Sequence, residues 1–193
     1  MSSFNTVNIL DLLDLVGEDE VEKILSDFSC SKNMEIELFV KKNAIDFSKK
    51  KMSITYLVFD EEMDLAAIFA LTHKAIQIGN EGISKTAQKK IQRFSQLDDS
   101  SNSYVVSAFL IAQLGKNSNY SGKQLSGNHL MRLTEEILCQ VQREIGGGIV
   151  FLECEENEKL LNFYRNEENG YRIFDDRFSL VDNTKYIQLF KFI

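Results

Sequence analysis

A mixed α/β sheet built round a central β–α–β unit is the fold class that this chain of 193 residues predicts. Three stretches predict it. Residues 103–114, SYVVSAFLIAQL, form a long apolar run suited to a strand buried on both faces. Residues 127–145, GNHLMRLTEEILCQVQREI, repeat Leu130, Leu133, Ile137 and Val141 at helical spacing. Residues 149–154, IVFLEC, are a second short apolar strand. A helix of that length joining two strands makes them parallel neighbours.

The remaining elements follow in chain order. Residues 1–50 read as about two or three helices. VGEDEVEKILSDF places Val21, Ile24 and Leu25 on one face. NMEIELFVKKNAIDFSKKK keeps one helical period through Ile36, Phe39, Val40, Ala44 and Phe47, and ends in Lys49, Lys50 and Lys51, where a helix C-terminus favours cations. SITYLVFD and LAAIFALTHKAIQI are β-branched and aromatic runs on either side of the polar turn DEEMD, so residues 53–78 predict a β-hairpin. SKTAQKKIQRFSQL sets Ala87, Ile91 and Phe94 opposite Lys and Arg, an amphipathic helix. The three glycines at 146–148 stop the long helix. ENEKLLNFYRN is a short helix, and GYRIF and KYIQLFKFI close the chain as strands. The sum is about six or seven strands, with antiparallel strands flanking the central unit and helices at the N-terminus. No repeat or low-complexity linker interrupts residues 1–193, which read as a single domain.

Composition sets bounds on function. Apolar residues make up 44% and charged residues 26%, an ordinary globular balance. The net charge of −7 weighs against a broad nucleic-acid footprint and suits a cationic acceptor. No run has the apolar length of a membrane span, so no membrane partner is expected. The start, MSSFNTVNIL, lacks the basic and apolar regions of a signal peptide. Cys30, Cys139 and Cys154 fit neither a disulfide framework nor a zinc site, and with His73 and His129 as the only histidines no metal is expected. Together these features predict a cytoplasmic protein. A homodimer is compatible with the composition.

The most informative stretch is FLIAQLGKNSNYSGKQLSGNHLM, residues 109–131, in a chain with no proline. A strand runs into a polar, glycine-containing loop, and the loop runs into a helix. A helix N-terminus carries unpaired N–H groups and partial positive charge, and a glycine-containing loop lets backbone approach a phosphate. Gly122 and Gly127 give that freedom, and Lys123 adds charge. Taken alone such a loop is common. A second stretch, LECEENEKLLNFYRNEENGY, puts Asn157, Leu160, Leu161 and Tyr164 on one helix face, with Asn157 and Tyr164 roughly 10 Å apart along the axis.

With these two stretches, residues 103–171 resemble the GNAT superfamily of acyl-CoA-dependent N-acetyltransferases of bacterial type, with the subfamily unresolved. The family's strand, phosphate loop and helix read RLAV…(Q/R)GxGxG/A…LL, and its later segment has an Asn and then FYxxxGF. By that resemblance Leu114, Gly115 and Lys116 match the strand end whose backbone faces the pantetheine and thioester. Ser121, Gly122, Lys123, Gln124, Leu125, Ser126 and Gly127 match the pyrophosphate loop. Ser121 stands where Gln or Arg is usual, and Gln124 and Ser126 stand where two glycines are. Asn157 matches the family Asn, Phe163 and Tyr164 the aromatic pair, and Gly170 and Tyr171 the terminal Gly-Phe.

The resemblance implies an acetyltransferase that uses acetyl-CoA as co-substrate and moves its acetyl group to a primary amine. A Tyr with an ordinary pKa of about 10 keeps its proton at neutral pH, so Tyr164 is assigned the general-acid role toward the leaving thiolate. A backbone N–H near residues 114–116 would hold the oxyanion. Glu153 is the candidate general base, directly or through water, and also suits a plain charge partner. Asn157 suits both a pantetheine contact and a helix cap. Cys154, with no histidine placed to activate it, reads as a buried structural cysteine, and His129 as a surface residue.

The acceptor is left as a cationic small molecule or a peptide amine. Two other readings stand beside it. One is a toxin-type acetyltransferase acting on aminoacyl-tRNA, for which Lys41, Lys42, Lys49, Lys50, Lys51, Lys85, Lys89 and Lys90 could supply a local basic face. The other is a non-catalytic module that binds acyl-CoA or a protein.

Overall fold

The computed structural model describes residues 4–122 and 124–193. The chain forms two compact units. Unit one takes the chain up to Thr72 and Ile111–Thr134. Unit two takes His73–Leu110 and Glu135–Ile193. Two strands and the long helix contribute residues to both.

Unit one holds β1 (Asn5–Asn8), α1 (Ile9–Val16), α2 (Glu18–Ser26), α3 (Met34–Lys42), α4 (Ala44–Lys49), β2 (Ile54–Phe59) and the first half of β3 (Leu65–Gly79). β2 pairs antiparallel with both neighbours, with Leu57 opposite Val7 on one side and Ile68 on the other. The helices are set by local caps. Asn8 accepts from Leu10 N–H and starts α1; Asn33 accepts from Glu35 and Ile36 N–H and starts α3. Their apolar faces meet the sheet in a core where Ile9, Val21, Phe28, Ala44, Leu57 and Ile68 lose all solvent contact.

One expectation changes here. The run expected as a single helix over residues 34–51 is two helices hinged at Asn43, whose N–H closes α3 on Phe39 and whose carbonyl opens α4 to Phe47. Asn favours such ends because its side chain competes for the backbone. Three lysines of these helices and their ends are matched by acids, Lys41 by Glu37 at 2.8 Å, Lys49 by Glu18 at 2.5 Å and Lys50 by Asp46 at 2.8 Å, while Lys42 and Lys51 have no such partner among the described residues.

Unit two holds the rest of β3, α5 (Lys85–Ile91), the two-residue β4 (Leu97–Asp98), most of β5 (Ser103–Lys116), the body of α6 (Gly127–Ile145), β6 (Ile149–Glu155), α7 (Glu158–Arg165), β7 (Arg172–Ser179) and β8 (Thr184–Phe192). Its strand order is β5-β6-β8-β7, with β4 on β5. β5 and β6 run parallel, Phe109 beside Val150, and α6 makes the crossover, as the sequence predicts. β8 inserts antiparallel between β6 and β7. The core gathers Ile78, Ile91, Tyr104, Phe151 and Phe190. α6 ends at Gly146, whose φ of +77° suits glycine.

Among the described residues the strands number eight rather than about six or seven. The extra two, β1 and β4, are too short and polar to show a period. Among the described residues no helix is long and apolar enough to cross a membrane.

One side chain staples the α2–α3 turn. The Glu37 carboxylate accepts from Lys41 Nζ, Cys30 N–H at 2.8 Å and Ser29 Oγ at 3.0 Å. Lys41 first, then these hydrogen bonds, hold its pKa down from 4.5 to about 2. A depressed folded pKa gives stability that is present above 4.5 and is lost as pH falls toward 2. Glu37→Gln should therefore lower the urea midpoint at pH 7 and flatten the loss of stability between pH 4.5 and 2. A mutant curve parallel to wild type across that window would assign the acid transition to other groups.

Candidate functional site

The strand-to-helix loop divides into two halves. At its start, Gly115 is buried, and a Cβ there would sit 2.8 Å from Ile36 Cγ2 and 3.7 Å from Cys30 Sγ. Only glycine lets α3 pack flush on the end of β5. Leu114 is half-buried, Lys116 is exposed and ends the strand, and Lys116 Nζ donates to the Leu125 carbonyl at 3.2 Å.

The first half is a set of anchors. Asn117 Oδ1 accepts from Ser29 N–H and Asn119 N–H, each at 3.0 Å, and its Nδ2 donates to Leu65 O at 2.8 Å. Ser118 N–H donates to Ser29 O, and Ser118 Oγ accepts from Ser31 N–H. Asn119 Nδ2 donates to Asp27 O at 2.9 Å. The Tyr120 hydroxyl donates to Asp60 Oδ2 at 2.9 Å, and Asp60, 8% exposed, also accepts from Glu62 and Asp64 N–H. The Tyr120 ring fills the space beside Gly122, whose Cβ would lie 2.5 Å from Tyr120 Cζ.

The second half is open. Ser121, Gly122, Gln124 and Ser126 are exposed, while Leu125 is buried as a peg. Lys123 lies outside the described residues. Ser126 caps α6: its Oγ accepts from His129 N–H at 3.1 Å and its carbonyl from Leu130 N–H. His129 packs edge-on against Phe4. An exposed loop, fixed at both ends and feeding a capped 19-residue helix, has the donor chemistry that a diphosphate requires. The residues that the resemblance assigns to CoA in this region run from Leu114 to Gly127, of which all but Lys123 are described. Sequence reasoning missed the anchors Asn117, Asp60 and Tyr120, for which the only signal was polar residues placed right after an apolar strand.

Unit two carries the other named residues. Asn157 caps α7, its Oδ1 accepting from Lys159 N–H at 2.9 Å and Leu160 N–H at 3.4 Å. Tyr164 lies in the last turn, its ring 4.9 Å from Phe163 and 6.1 Å from Tyr171. Burial, and then the Cys154 thiol, push the Tyr164 phenol pKa well above its ordinary value. Burial and the charge of Glu155 push Cys154 up to about 11, so the thiol is inert at neutral pH. Tyr171, 2% exposed, is raised by burial and then by the Glu135 carboxylate, which is itself held by Lys191 Nζ at 2.7 and 2.9 Å. The turn from α7 to β7 is tied by Asn169 Nδ2 donating to Phe163 O and by Tyr171 N–H donating to Tyr164 O, with Gly170 at φ +67°.

Glu153 is engaged. Burial raises its pKa, but hydrogen bonds from Arg177 and Gln188 and the charges of Arg177 and Lys74 outweigh that, and the net shift is downward. Arg177 reaches it through Nε at 2.9 Å and Nη2 at 2.6 Å, and Gln188 Nε2 at 2.6 Å. A carboxylate so held is a weaker base, and the arrangement is that of the charge partner weighed from sequence. Beyond the Tyr171 turn lies a cleft of about 460 Å³ lined by Arg165, Gly170, Tyr171 and Arg172.

Comparison with solved structures places this architecture. The chain is similar to AtaT complexed with acetyl-methionyl-tRNAfMet, at TM-score 0.62 and 15% identity over 95% of this chain and 94% of that one. It is similar to a Tyr-to-Phe mutant of KacT, at 0.61 and 16% over 95% and 93%. It is also similar to the NatC complex bound to Gag peptide and CoA, at 0.51 and 14% over 100% and 98%. No protein-family profile matches the chain, and no curated protein does. The chain has the GNAT acetyltransferase fold.

Two measurements test the site's construction. Tyr120→Phe should cost roughly 1.5–3 kcal/mol in urea unfolding, because it deprives a buried carboxylate of a donor; an unchanged midpoint would show the Asp60 contact carries no stability. The raised phenols add a second test. A folded pKa above the unfolded value of about 10 gives stability that is complete below pH 10 and lost as pH climbs beyond it. Tyr164→Phe and Tyr171→Phe should each flatten that alkaline loss, and slopes identical to wild type would mean both phenols titrate as if in water.

Proposed function

We propose that this protein is an acetyl-CoA-dependent N-acetyltransferase. The observation that carries the reading is the likeness to AtaT over nearly the whole of both chains. Bound acetyl-CoA supplies an activated acyl carbonyl and a thiol leaving group. The exposed residues Ser121, Gly122, Gln124 and Ser126 and the first turn of α6 bind the diphosphate through backbone N–H groups. A backbone N–H at the end of β5, between Leu114 and Lys116, stabilises the oxygen that gains negative charge as the amine attacks. Asn157 keeps its Nδ2 as a donor for an amide carbonyl of the pantetheine arm, since the cap uses only Oδ1. Tyr164 gives its phenol proton to the departing sulfur and recovers one from solvent. Its raised pKa keeps it protonated across the working range of pH, which an acid needs. Glu153, held by Arg177, is not used as the base.

The acceptor is a primary amine. The charge of −7 is compatible with a cationic small amine or peptide. A specific observation favours the amino group of an aminoacyl-tRNA: AtaT, the relative named above, forms a complex with acetyl-methionyl-tRNAfMet.

Calorimetry with acetyl-CoA and with CoA is the primary test. Micromolar binding is expected, lost in Gln124→Asp, which brings a carboxylate into the open half of the loop; Gly122→Asp would also displace Tyr120 and is the poorer probe. Tyr164→Phe should lower kcat on an accepted amine by roughly 10²–10⁴ with the acetyl-CoA Kd unchanged. Absence of acetyl-CoA binding in the wild type would reduce the chain to a GNAT-like interaction module.

A further inference from the structure

Seven cations of this acidic protein sit in ion pairs, and the other described ones, Lys32, Lys42, Lys51, Lys74, Lys116, Arg132, Arg143 and Lys159 among them, do not. Lys23, Lys41, Lys49 and Lys50 in unit one, and Arg177, Lys185 and Lys191 in unit two, each sit within ion-pair distance of a carboxylate. Lys85, Lys89 and Lys90 on α5, Arg93 in the turn after it, and Arg165 and Arg172 beside the α7–β7 turn have no such partner among the described residues. All six are exposed.

Their placement is ordered. α5 buries Ala87 and Ile91, so Lys85 and Lys89 share the opposite stripe, and Arg93 continues it four residues on. Like charges at that spacing repel and weaken a short helix. Nothing in α5 offsets this: it has no carboxylate. Glu81 is hydrogen-bonded by Asn102 and Asp98 by Ser100 and Ser101; both keep their charge, and neither is within ion-pair distance of an α5 cation among the described residues. Lys90 turns to the side and lies 5.1 Å over the ring of Phe192. There it lines a cleft of about 170 Å³ with Arg172, Phe190 and Phe192. That cleft shares Gly170 and Arg172 with the larger one that reaches Arg165 and Tyr171. Phe94, at the foot of α5, is 46% exposed. A row of cations without carboxylate partners, beside the exposed ring of Phe94, is the chemistry that holds a phosphodiester backbone and stacks a base.

We propose that α5 and the Lys90–Arg172 cleft form a docking face for RNA, with Lys85, Lys89 and Arg93 on the phosphates and Phe94 as a stacking ring. The proposal rests on the aminoacyl-tRNA reading for its choice of RNA, and names the surface of unit two that would take the body of that substrate. The face is cationic along α5, which carries no carboxylate, and mixed beside the α7–β7 turn, where Glu167 lines the larger cleft with Arg165 and Arg172.

The test uses the full chain and fluorescein-labelled, deacylated bulk tRNA, followed by anisotropy from 50 to 200 mM KCl. The triple variant Lys85→Glu, Lys89→Glu, Arg93→Glu should weaken binding about tenfold or more, with a shallower salt slope. Lys90→Glu with Arg172→Glu should do the same. Reversal at the paired cations, Lys23→Glu with Lys50→Glu, should leave tRNA binding within about twofold of wild type. Circular dichroism and the calorimetric Kd for acetyl-CoA, unchanged in all variants, report folding independently.

Binding of tRNA that ignores the α5 reversals would overturn the proposal, as would a wild type that binds acetyl-CoA and no tRNA. Equal affinity for phosphatidylserine vesicles or for heparin, lost in the same variants, would overturn RNA as the partner. The converse result, α5-dependent tRNA binding without any acetyl-CoA binding, supports the docking face and defeats the acetyltransferase reading alone.

Discussion

The candidate phosphate loop depends on how the chain leaves β5, and that exit is governed by one side-chain amide. Asn117 uses both ends of its amide and its own N–H: it takes hydrogen bonds from Ser29 and Asn119 and gives them to Leu65 and Ala66. An unpaired amide at such a place would cost more than the bonds return, so the set holds together or fails together. With Asn117 fixed, Gly115 can lie against Ile36, Ser118 can reach Ser31, and Tyr120 can swing to Asp60. The open residues that follow then start from a set position. A loop rich in Ser and Asn is therefore not loose. The polarity of its first half serves anchoring, while in the second half Ser121, Gly122, Gln124 and Ser126 are exposed.

Unit two solves a different problem, the control of protonation, with two opposed devices. Around Tyr164, Cys154 and Tyr171 the means is burial, which disfavours the charged form and keeps all three groups neutral. Around Glu153 burial acts in the same sense but loses to Arg177 and Gln188, and the carboxylate stays charged. These neighbours on β6 and α7 thus differ in protonation because one side of the strand end has a guanidinium and the other has rings. A phenol that keeps its proton is a direct product of that arrangement.

What the sequence disclosed and what it hid separate by range. α6 was legible from Gly127 to Ile145 because many turns of one period and a terminal glycine all agree. The cap at Asn157 was legible because it needs only spacing within a few residues. The Asn43 hinge was not, since Ile36, Phe39, Val40, Ala44 and Phe47 keep their period straight across it. The site's supports were not legible either. Tyr120 finds Asp60 from 60 residues away, Asn117 finds Ser29 from 88, and Glu153 finds Arg177 from 24. Such pairs leave no local trace; a lone Asn or Asp reads the same whether it anchors a site or faces water.

The lysines show the same limit from the other direction. A run such as KTAQKKIQR and a run such as FSKKK look alike as sequence, and overall charge argues against both as contacts for a polyanion. Structure separates Lys49 and Lys50 from the first run by partner, though not Lys51, which has none among the described residues. Lys49 and Lys50 spend their charge on Glu18 and Asp46, whereas Lys85, Lys89 and Lys90 spend theirs on no described carboxylate. Exposed ion pairs contribute little to stability, so pairing is no large gain for the helices that have it. Its consequence is for the field outside. A matched pair is a short-range dipole that salt screens away, and an unmatched row is a net source that reaches about a Debye length. The face of a protein that attracts a charged partner is then decided by where neutralisation is missing, and a count of its residues does not reveal it.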